Sequence, residues 1–75
     1  MITSIEDILI FKTNIRTDED RRRIQLTMDM LDGIEKWNVD LQDIDCVLRI
    51  ESNKFSSAEI ISIINYCGFE CAELE

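Results

Sequence analysis

The sequence has no histidine, no proline and only two glycines. Without histidine, both the usual general base and the commonest borderline-metal ligand are missing. There is no glycine-rich loop to cradle a phosphate, and the scattered carboxylates read as solvated faces, so no enzymatic activity is expected. No apolar run approaches the roughly 20 residues needed to span a bilayer. The N-terminal MITSIEDILIF places acids where a secretory leader would carry bases, which predicts a cytoplasmic protein without membrane attachment. Cysteine is scarce and odd in number, three residues without a CxxC pair. A disulfide framework is therefore not expected, and a reducing compartment would keep the thiols free.

What is present suits one small folded domain. The 75 residues are 45% hydrophobic and 32% charged, with the two classes interleaved and no repeat or linker between them. A domain of this size buries only about 60% of the surface its unfolded chain exposes, so its core must be compact. Sixteen acids against eight bases give a net charge of -8, spread along the chain. Such a surface repels nucleic acid and anionic lipid. The run Arg21, Arg22, Arg23 follows Asp18, Glu19 and Asp20, so it is neutralised locally.

Hydrophobic spacing predicts six elements. ILIFKT, residues 8–13, has strand composition. From Asp18 to Asp32, the residues Ile24, Met28 and Leu31 form one helical stripe, with Gly33 as the stop. EKWNVDL, residues 35–41, alternates with Trp37, Val39 and Leu41 on one face. After the turn QDID, CVLRIE alternates with Cys46, Leu48 and Ile50 inward, completing a hairpin. Ser56-Ser57-Ala58-Glu59 has capping-box form and opens a second helix to about Cys67. Gly68 ends it, and FECAEL supplies a last strand.

Strand, helix, strand, strand, helix, strand is the order of an α+β, ferredoxin-like βαββαβ sandwich, a four-stranded antiparallel sheet with two helices on one face. The first strand would be central, flanked by the third and fourth. Its phase is open: Leu9 and Phe11, with Val47 and Leu74, could form an apolar patch on the uncovered face, marking a partner or homodimer surface. A register differing by one would bury Leu9 and Phe11 instead.

LDGIEKWNVDL and INYCGFE, joined through Gly33 and Gly68, resemble the heavy-metal-associated domain family of small copper chaperones and metal-pump domains. The resemblance covers roughly residues 8–72 without a gap. It lays the family's Gly-Met-x-Cys-x-x-Cys metal loop on Asn14-Ile15-Arg16-Thr17-Asp18-Glu19-Asp20. Ile15 keeps the methionine's place as a core plug, whereas Thr17 and Asp20 stand where the two cysteines would be. Soft Cu(I) is held by thiolates, and neither replacement is a comparable ligand. Thr17 is instead a good N-cap, and three acids meet the positive end of the helix dipole. Asp18 with Arg22 and Glu19 with Arg23 are acid-first i,i+4 pairs, each worth about 0.2–0.5 kcal/mol.

The resemblance implies a small interaction module with a degenerate metal loop, holding no cofactor, that meets a protein partner through Ile15, Arg16, Thr17, Asp18 and Phe69. A hard-metal site at Asp18, Glu19 and Asp20 is disfavoured, because successive helical residues diverge by about 100° and Mg²⁺ or Ca²⁺ needs convergent oxygens. The alternative keeps a soft or borderline ion, copper or zinc, on Cys67 with Cys46 or Cys71, all at the loop end of the sheet. Against it, Cys46 and Cys71 fall on the inward face, where free cysteine commonly packs as core.

Overall fold

The computed structural model describes residues 8–74; Glu6 and Asp7, two of the N-terminal acids read above, lie outside that range. The elements run β1 (Ile8–Thr13), α1 (Asp18–Met30), β2 (Ile34–Val39), β3 (Leu48–Ser52), α2 (Ser57–Tyr66) and β4 (Cys71–Glu73). The strands form one antiparallel sheet in the order β2-β3-β1-β4, so β1 is central as expected. Ile24 and Met28 of α1 and Ile60 and Ile64 of α2 share one buried cluster with Phe11, Val39, Leu48 and Ile50 of the sheet. This is the ferredoxin-like arrangement.

The phase of β1 is settled by its register. Leu9 pairs with Ile50 and Phe11 with Leu48, so both face the helices, and Phe11 is fully buried. The outward reading of Leu9 and Phe11 is therefore corrected. Ile8, Ile10 and Lys12 take the open face. The physical reason is Lys12, whose ammonium cannot enter the core and fixes every second position before it.

Several element ends differ from the sequence reading. Strand β2 starts one residue earlier, at Ile34, absorbs a bulge between Ile34 and Lys36, and stops at Val39 rather than Leu41. Side chains of aspartate set that stop: Asp40 accepts from the Gln42 amide at 3.1 Å and Asp43 from the Asp45 amide at 2.8 Å. These local turns compete with the ladder. Cys46 adopts φ +45° and stays outside the sheet, so β3 begins at Leu48. Helix α1 ends at Met30, before Asp32, and α2 ends at Tyr66 with Cys67 as its cap.

The corners are held by side-chain oxygens. Ser52 is buried; its hydroxyl donates to the Gly33 carbonyl at 2.6 Å and accepts from the Lys54 and Phe55 amides at 3.2 and 3.3 Å. Gly33 itself has φ +115°, and a β-carbon there would stand 2.6 Å from the Lys54 side chain. Both the backbone and the space demand glycine. Helix α2 carries the expected capping box: the Glu59 amide donates to Ser56 at 3.2 Å and the Ser56 amide to Glu59 at 2.9 Å.

Candidate functional site

The loop from β1 to α1 is bound to its surroundings on three sides. The Thr13 hydroxyl donates to the Cys46 carbonyl at 2.7 Å and accepts from the Ile15 amide at 3.1 Å. The Asn14 side chain accepts from the Glu70 amide at 2.8 Å, tying the loop to the start of β4. Ile15 is fully buried and joins the core cluster. It is a plug, as expected, and for that reason offers a partner no side-chain surface. Arg16, Thr17 and Asp18 are exposed, and Phe69 is half-buried against the core.

Thr17 and Asp20 are both committed to the helix start. Thr17 Oγ1 accepts from the Asp20 amide at 3.0 Å, and Asp20 Oδ2 accepts from the Arg16 amide at 3.3 Å. Thr17 thus satisfies an amide that the first turn would otherwise leave without a partner, and Asp20 ties down the amide of the residue just ahead of the cap. Asp18 takes Arg21 at 2.9 Å and Arg22 at 3.3 Å. The Arg21 hydrogen bond and charge, with a smaller effect of Arg22, hold the Asp18 carboxyl below its ordinary pKa. The expected Glu19 to Arg23 pair is not among the ion pairs of the described residues; exposed pairs of this kind contribute too little to fix two long side chains.

The three cysteines sit near the loop end in different surroundings. Continuing the β1 to β3 register places Thr13 beside Cys46, and Thr13 pairs with Cys71 on its other side. Thr13 thus stands between Cys46, whose carbonyl takes its hydroxyl, and Cys71, its partner in the ladder. Cys67 donates its thiol to Thr27 of α1 at 3.6 Å. Burial pushes the Cys71 thiol up to about 11. Among the described residues, no three His, Cys, Asp or Glu side chains gather as an ion would require, at Asp18, Glu19 and Asp20 or elsewhere.

Sequence reasoning missed a groove of about 410 Å³ beside the loop, bounded by Lys12, Arg16, Ile44, Asn65 and Glu70. Ile44 is 90% exposed at its rim. The available signal was a lone isoleucine inside the otherwise polar turn QDID.

Comparison with solved structures supports the fold resemblance. The yeast copper transporter domain Ccc2a, studied in apo and Cu(I)-loaded states, superposes with a TM-score of 0.77 at 21% identity, covering 92% of this chain and 96% of that one. A chain of the Atx1-Cu(I)-Ccc2a complex gives 0.76 at 21% identity, over 91% of this chain and 94% of that one. The Cu(I)-loaded first domain of the human copper chaperone for SOD1 gives 0.76 at 14% identity, over 88% and 89%. No protein-family model matches the chain, and no curated protein matches it by sequence. The fold is that of heavy-metal-associated domains. No helix in the described residues is long and apolar enough to cross a membrane.

Proposed function

We propose that this chain is a small cytoplasmic, non-catalytic interaction domain that keeps the heavy-metal-associated fold and no longer carries Cu(I) at the β1 to α1 loop. The observation that supports this reading is the capping use of Thr17 and Asp20. At the two positions where the resemblance would place thiolates, a hydroxyl and a carboxylate are spent on backbone amides of the helix start. Hard oxygen ligands hold soft Cu(I) poorly even when free. A partner would meet Arg16, Thr17 and Asp18 on the exposed side of the loop, with the edge of Phe69 and Ile44 close by. That a domain of this fold is found in a complex between two proteins supports a protein partner.

The reduced protein titrated with Cu(I) or Zn²⁺ against a competing chelator tests the reading. No stoichiometric retention is expected. Tight one-to-one binding that disappears in Cys67→Ser would replace it with the soft-metal alternative on Cys67 with Cys46 or Cys71. Tight binding that survives that substitution would also overturn it.

A further inference from the structure

The uncovered face of the sheet has a composition the rest of the chain does not share. Alternation puts Lys12 of β1, Lys36 of β2 and Arg49 of β3 on this side, with Glu51 the acid among them. The chain as a whole has twice as many acids as bases; among the register-paired strand residues on this face three bases stand against one acid, with Glu35 in the bulge next to Lys36. Glu51 is already engaged by Arg49 at 3.2 Å and is mostly covered. The three bases are exposed.

An apolar row crosses the same face. Ile10 lies between Arg49 on one side and Leu74 on the other, where the Leu74 amide donates to the Ile10 carbonyl at 3.1 Å. Ile10 is 41% exposed and Leu74 37%, and half-buried Ile8 continues the row. Antiparallel sheets commonly leave one face to water, but such a face is normally polar. Here exposed isoleucine and leucine share the face with Lys12 and Lys36, neither of which is in an ion pair among the described residues.

Charge decides what this face can receive. A second copy meeting it face to face would set one excess of bases against another and be repelled. Nucleic acid would find no aromatic platform for its bases, since Phe11 and Trp37 take the core side, paired with Leu48 and Ile50. We propose that the open sheet face is a docking surface for an acidic, apolar segment of a partner protein, its carboxylates meeting Lys12, Lys36 and Arg49 and its apolar side chains covering Ile10 and Leu74. This surface lies on the opposite side of the sheet from the helices and uses no residue of the metal-loop position, so it stands whatever the outcome of the Cu(I) titration.

The test is a titration of the ¹⁵N-labelled full chain with a short synthetic peptide of glutamate and leucine, and separately with its lysine and leucine counterpart. Amide shifts should concentrate at residues 8–12, 49 and 72–74, weaken with added salt, and be absent with the lysine peptide. Lys12→Glu with Arg49→Glu should weaken binding by about tenfold or more. Ile10→Ser alone should weaken it without changing the salt dependence. Equal binding of the lysine peptide, shifts confined to the helices or to residues 14–18 and 69, or a dimer in sedimentation that buries this face would each overturn the proposal.

Discussion

Replacing Thr17 and Asp20 together by cysteine should convert the helix cap into a soft-metal loop, and the exchange has a calculable cost. The Thr17 hydroxyl and Asp20 carboxylate each satisfy one amide, at 3.0 and 3.3 Å. Losing an N-cap costs typically about 1 kcal/mol, and removing one first-turn acid adds about 0.5 kcal/mol. The apo variant should therefore be less stable by about 1.5 kcal/mol, which lowers Tm by about 6–12 °C for a domain of this size. Free Cu(I) at a hundred times its Kd would return about 2.7 kcal/mol, more than the loss. The assay is reversible unfolding under reducing conditions, followed by the fluorescence of Trp37, the only tryptophan, which is half-buried against the core. The double variant should melt below the natural protein without copper and above it with copper, while the natural protein does not move. An equal copper-induced rise in both proteins would refute the reasoning, as would a folded double variant indifferent to copper.

The other predictions concern single groups. Ile15→Ala should cost about 2–5 kcal/mol as a core truncation, and a loss below about 1 kcal/mol in urea unfolding would contradict the plug. The Cys71 thiol, raised from 9.0 to about 11 by burial, should hold about a hundredfold less thiolate at pH 8 than an ordinary thiol. Iodoacetamide labelling read by mass spectrometry should find it correspondingly slow, and labelling at the ordinary rate would refute the assignment. Asp18, with its pKa lowered by Arg21 and Arg22, favours folding above the ordinary carboxylate range, a contribution lost as pH falls below about 3.8. Its carboxyl NMR titration should shift back up in high salt or in Arg21→Gln; a midpoint unaffected by either would show that the arginines do not act on it.

The topology was legible because each long stripe has a period that only one element type fits. Ile24 with Met28 and Ile60 with Ile64 sit four apart, while Trp37 with Val39 and Leu48 with Ile50 sit two apart, and each pair faces the core. The phase of β1 was harder, since residues 8–11 are apolar on both faces. Lys12 carried the answer, being of opposite parity to Leu9 and Phe11. The end of β2 was hidden for another reason: Asp40 and Asp43 close local turns that alternation does not register. At the loop, the residue types gave the Thr17 cap and the Ile15 plug directly. Nothing in the spacing indicated that Thr13 would stand between Cys46 and Cys71, because that separation depends on how three strands align. Local pattern gave the Asp18 to Arg22 pair, but not that Asp18 would also draw Arg21 and that Glu19 and Arg23 would stay apart.

The polar anchoring of the corners also bears on how the chain reaches its fold. With no proline anywhere in the sequence, there is no X-Pro bond whose isomerisation over tens of seconds could delay part of the population. The stiffness that proline would lend to the turns comes instead from oxygens that Ser52, Thr13, Asp40 and Asp43 aim at backbone groups. Such contacts form as fast as side chains rotate, once the backbone groups they join are in place. The corners should lock together with the sheet, and refolding should be a single fast phase with no slow tail.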